Sequence, residues 1–140
     1  MKSLRELYNL SYDKSGLNSG LIQWYNNMID KSIDELKVAD ISKMIRQDIL
    51  LDIAIKKAIE LFFCDPYDGE YQDGELLSLL LTLNMSRISE DKLKELNFFL
   101  QSLKTEYINF DWDNKKIEEQ YAKDLDKLEV KITKFVFFNK

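Results

Sequence analysis

One proline and four glycines are all the helix breakers that 140 residues contain. A proline inside a helix costs about 3 kcal/mol and an internal glycine about 1 kcal/mol. A chain this poor in both, with apolar residues recurring at spacings of three and four, reads as helices joined by short connections. No segment alternates apolar and polar residues over the length of a strand. The sequence therefore predicts an all-α, compact single-domain bundle of about six or seven helices over residues 1–140. A chain of this size buries about two-thirds of its unfolded surface, and with 45% hydrophobic residues it can build a core without covalent staples.

The boundaries follow from caps and apolar stripes. Ser3-Leu4-Arg5-Glu6 has capping-box spacing, and residues 9–20, rich in Ser, Asn, Asp and Gly, read as a loop. A second helix is expected over Leu21–Ile29, with Leu21, Trp24, Tyr25 and Met28 on one side. A connection with a short turn near Ile33 and Leu36 leads to a helix over Val38–Arg46. Asp48 is placed to cap a longer central helix, Ile49–Phe63, whose wet side carries Lys56, Lys57 and Glu60. Pro66 stops that helix, Asp68-Gly69 makes a turn, and Asp73 is expected to cap a short apolar helix over Glu75–Leu83. Ser89 opens the next helix, with Leu93, Leu96, Leu100 and Leu103 as its stripe. The last helix runs from near Asp113 to about Phe135, and Trp112 reads as a partly buried indole at its start. Cys64 reads as a small buried hydrophobe, and Phe135-Val136-Phe137-Phe138 as docked apolar surface.

The absences narrow the chemistry. Without histidine there is no Ser-His-Asp or Cys-His nucleophile system and no histidine-bearing zinc site. One cysteine forbids an internal disulfide and a cysteine-only metal centre. No apolar run is long enough to cross a bilayer, and Met1 to Glu6 lacks the apolar core of a signal peptide, so the expected compartment is the cytoplasm. An excess of acids, 25 against 20 bases, disfavours nucleic-acid binding.

That excess is local. From Ala58 to Ser86 there is no Lys or Arg but six acids, and five of the six lie between Asp65 and Glu75. A calcium loop needs oxygen ligands at positions 1, 3 and 5, Gly at 6 and Glu at 12. Started at Asp65, positions 3 and 5 are Tyr67 and Gly69; started at Asp68, position 12 is Leu79, so both registers fail. Nothing in the segment selects a catalytic carboxylate pair, and no phosphate-binding glycine loop accompanies it. No cofactor is expected. Two readings stay open: a solvated interhelical loop, or a protein-binding surface made of Asp65, Tyr67, Asp68, Glu70, Tyr71, Asp73 and Glu75. In the second, aromatic side chains anchor and acids steer a basic partner. The basic run Lys123, Lys127, Lys131 and Lys134 reads as a solvated face.

Two stretches together carry a family resemblance. The first is Ile33-Asp-Glu-Leu-Lys-Val-Ala-Asp-Ile-Ser-Lys-Met-Ile-Arg-Gln47. The second is Ala58-Ile-Glu-Leu61 followed by Asp65-Pro-Tyr-Asp-Gly-Glu-Tyr-Gln-Asp-Gly-Glu-Leu-Leu77. Over about residues 33–80 the chain resembles the immunity proteins of bacterial contact-dependent growth inhibition and related polymorphic toxin systems. It departs from them at Asp48–Asp52, where a glycine is expected in many relatives. The resemblance implies a small cytoplasmic protein, not an enzyme, that binds and blocks the C-terminal toxin domain delivered by a neighbouring cell. A nuclease toxin would offer a basic cleft; neither nucleic acid nor membrane is an expected partner. If the acidic loop is common to relatives with different toxins, specificity lies elsewhere, in the N-terminal third or the final helix. The alternative is an acidic helical adaptor or regulatory subunit without a toxin partner.

Overall fold

The computed structural model describes residues 1–15 and 19–138, and within them the fold is all-helical. Seven α-helices follow in order: α1 Leu4–Leu7, α2 Gly20–Met28, α3 Val38–Arg46, α4 Leu51–Cys64, α5 Glu75–Leu81, α6 Glu90–Glu106 and α7 Lys115–Phe138. Single 3₁₀ turns at Ile33–Glu35, Met85–Arg87 and Tyr107–Asn109 lie in the connections. Residues 16–18 of the expected loop lie outside the described residues.

The capping signals divide into those that act as read and those that do not. Ser3 and Glu6 form the reciprocal box, and the Ser89 hydroxyl accepts from the Lys92 N–H. Asp48 does not cap α4. It sits past the end of α3 at φ 55°, with its N–H donating to the Ile45 carbonyl and the Ile49 N–H reaching back to Met44. That is the Schellman closure of α3, which needs a left-handed residue where Asp is tolerated and Gly favoured. Leu50, which precedes α4, is left-handed as well, at φ 46°. Two left-handed L-residues in this span give a physical reason for the glycine expected among relatives. Asp73 likewise gives way to Gly74, which precedes α5 at φ 84° with no side-chain cap.

Packing joins α3 to α4, α4 to α5 and α6 to α7, and it brings α5 onto α7 across the chain order. Helices α3 and α4 lie against each other, and Ile41, Met44, Ala54 and Ala58 on them are fully buried. The buried face of α4 also takes Ile55 and Ile59, which turns Lys57 inward to 8% exposure, so that lysine is not on the wet side. Helices α6 and α7 form a hairpin over the leucine stripe, closed at its rim by Lys104 between Asp126 and Glu129. Helix α5 rests on α7, where the Lys131 ammonium donates to the Leu81 and Leu83 carbonyls at 2.7 and 2.8 Å. Lys131 therefore caps the negative end of α5 and is not part of a solvated face. Two further expectations fail: Cys64 is exposed, and so are Phe137 and Phe138, while Val136 alone of the last apolar run is fully packed. Each stands at a helix end, where apolar periodicity outlasts the partner helix.

Candidate partner-binding surface

Asp65 to Glu75 is a tightly tied loop between α4 and α5. The Asp65 carboxylate accepts from the Tyr67 N–H at 3.1 Å, an Asx turn. The Tyr67 carbonyl accepts from Gly74 at 2.7 Å, and the Asp68 carbonyl from Leu76 at 3.0 Å. One Glu75 oxygen gathers the N–H groups of Tyr71 and Gln72. Gly69 is obligatory by space alone, since a Cβ there would stand 2.0 Å from the Gln72 carbonyl oxygen.

The loop stands on a pedestal of rings. Tyr67 stacks on Phe110 at 4.3 Å and meets Trp112 and Tyr121 at 5.5 and 5.4 Å. The Trp112 indole N–H donates to the Tyr107 carbonyl, and the Tyr121 hydroxyl to the Pro66 carbonyl at 2.8 Å. Gly74 closes the joint: a Cβ there would lie 2.8 Å from Tyr121 Cδ2. The α6–α7 connection thus supplies two of the three rings that meet Tyr67, namely Phe110 and Trp112.

The seven candidate residues separate by position. Tyr67 is half-buried among the rings, Asp68 and Glu75 bind the loop's own backbone, and Asp65 ties Tyr67 while remaining exposed. Glu70 and Tyr71 project outward, Tyr71 at 86% exposure, and Asp73 is half-buried beside them. Hydrogen bonding to Glu70 raises the Tyr71 hydroxyl pKa above the ordinary tyrosine range. The Asp73 carboxyl is also raised, first by burial and then by repulsion from Asp113, Asp65, Asp111 and Asp68. Asp111 and Asp113, which the sequence suggested only as a helix start, therefore extend the acidic field around the loop.

The loop also forms one wall of two clefts of about 310 and 320 Å³. Glu70 and Val38 line both, with Leu36, Ala39 and Leu61 in the first and Ser42, Gln72 and Leu79 in the second. The two stretches carrying the resemblance are thereby face to face across the same clefts. On the far side of α3, Asp40 is 5% exposed and accepts from Lys31 Nζ, the Trp24 indole and the Lys37 N–H. Burial raises its pKa, but these three donors outweigh burial and hold it below the usual range. Nothing in the sequence distinguished Asp40 from the other acids. Among the described residues no cluster of acids and cysteine can hold a metal ion, and no helix is long and apolar enough to cross a membrane.

Comparison with known families supplies the class. Residues 6–97, about two-thirds of the chain, match the family model of CDI immunity proteins, where CDI is contact-dependent growth inhibition. The chain belongs to this family. A comparison with curated proteins gives no match. It is a toxin-neutralising immunity protein by family, with a cognate toxin as the implied partner. The matched region holds α3, α4, α5 and the acidic loop, whereas Trp112, Tyr121 and all of α7 lie beyond it.

Proposed function

We propose that the chain neutralises its cognate toxin domain by forming a stoichiometric complex in the cytoplasm, without catalysing a reaction. The observation that carries this is the crest of Glu70, Tyr71 and Asp73, held out by a rigid loop on an aromatic pedestal. A crest already ordered loses little conformational freedom on binding, which favours affinity. Its acids, reinforced by Asp111 and Asp113, suit a partner with a basic cleft, and a nuclease is such a partner because its substrate is a polyanion. Family membership supports the toxin as partner, and the acidic crest supports the nuclease. Asp65, Tyr67, Asp68 and Glu75 serve the interface by fixing the crest. Asp-to-phosphate mimicry then blocks the cleft by occupation.

Co-expression with the toxin domain encoded beside this gene should restore growth, and the two chains should co-purify one to one. The double variant Glu70→Lys/Tyr71→Ala should lose rescue while melting like the parent. Killing that continues in the presence of soluble parent protein refutes the reading.

A further inference from the structure

Lys57 on α4 is 8% exposed, yet among the described residues its ammonium meets no carboxylate and donates to no oxygen. The only fully buried side-chain polar atom without a partner among them is Asn97 Oδ1, so the Lys57 ammonium lies at an opening and is not sealed in the core. Lys57 lines a cleft of about 370 Å³ bounded by Tyr8 just past α1, Ile33 in the first 3₁₀ turn and the Asp52–Glu60 side of α4. Tyr8, Ile33 and Ile53 supply its apolar walls. Of the two acids on its rim, Asp52 is held by Arg87 at 2.9 Å, and Glu60 forms no ion pair with Lys57 or with the exposed Lys56 beside it. The cleft therefore presents two ammonium groups that the chain itself leaves unused. It adjoins the crest: Glu60 lines this cleft and Leu61 the one walled by Glu70, and residues 33–36 give Ile33 to the first and Leu36 to the second.

We propose that this cleft is a socket for one aspartate or glutamate side chain of the toxin domain, with the Lys57 ammonium as its counter-charge. A pair formed at a mostly buried ammonium is screened by salt far less than one on the open surface. Packing already fixes the lysine stem, so binding costs it little side-chain freedom. The socket has the opposite sign to the crest beside it. Two neighbouring contacts of opposite sign fix the orientation in which a partner docks, which a uniformly acidic surface does not. The inference rests on the immunity reading.

Lys57→Met keeps the stem and removes the charge. Lys56→Glu leaves Lys57 in place and sets a like charge against the incoming carboxylate, at an exposed position. Binding of the toxin domain encoded beside this gene, read by calorimetry, should weaken roughly 30-fold or more in the first variant and about tenfold in the second. The free Lys57→Met protein should melt at or above the parent's temperature, whereas a lysine that only supported the fold would lower it. One Asp→Asn or Glu→Gln change in an acid scan of the toxin should weaken the parent complex alike and add nothing to Lys57→Met. Should Lys57→Met fail to fold, Lys56→Glu alone decides. Variants that bind within twofold of the parent overturn the socket and leave the crest reading standing. A parent chain that binds no toxin overturns the immunity reading, and the socket with it.

Discussion

Gly74→Ala is the most direct test of how the crest is held. The residue sits at φ 84°, where an L side chain costs about 1–2 kcal/mol. The added Cβ would also stand 2.8 Å from Tyr121 Cδ2. That ring cannot recoil freely, being 2% exposed, tied to the Pro66 carbonyl and wedged against Trp112 at 4.9 Å. Overpacking of this kind costs about 1–3 kcal/mol, so the total comes to about 2–5 kcal/mol. Against a domain stability of about 5–15 kcal/mol the variant still folds, and urea titration can measure the loss from its midpoint. Near-UV circular dichroism should change as well, since the clashing ring belongs to the pedestal. Gly20→Ala is the control, because a Cβ there meets nothing within 4 Å. It should be neutral or stabilise by up to about 1 kcal/mol. A Gly74→Ala protein within about 0.5 kcal/mol of the parent refutes the argument.

Asp48→Gly should stabilise by about 1 kcal/mol in the same titration, because it relieves the left-handed closure of α3 without removing a side-chain cap. Asp40 has a folded-state pKa below its unfolded value, so its stabilisation is complete above the unfolded carboxyl range and disappears as pH falls through the folded value. Asp40→Asn should accordingly flatten the loss of stability below about pH 4 while lowering stability at pH 7. Asp73 is displaced the other way, so Asp73→Asn should raise the melting temperature at pH 7, with the gain vanishing at acid pH, while weakening toxin binding. Cys64 should react with a thiol reagent in the native protein without denaturant, which end-point absorbance would show.

Helix content was legible because breakers are few and the leucine stripes of α6 and α7 are long. Ser3 and Ser89 were legible as caps because a hydroxyl before a run of good helix formers has one obvious use. Asp48 and Asp73 were not, since an acid before a helix looks the same whether its side chain caps or a neighbouring residue turns left-handed. Lys57 reads as solvent-facing in the sequence yet is buried on α4, because a broad apolar face gives no sharp phase. The acidic loop was visible as a charge anomaly, but its order depends on Tyr67 meeting Phe110, Trp112 and Tyr121, contacts that no local pattern encodes. The hydrogen bond from the Ser78 hydroxyl to the Asp124 carboxylate was invisible for the same reason: it exists only where α5 crosses α7.

The pedestal has an evolutionary consequence. The crest residues lie inside the region shared with the family, whereas Phe110, Trp112 and Tyr121, which hold Tyr67, lie beyond it. A substitution among those three rings tilts or lifts the crest without altering one of its residues. If the crest makes the toxin contact, as proposed, recognition can drift from beneath, with the loop keeping its sequence while its orientation follows changes in the C-terminal third.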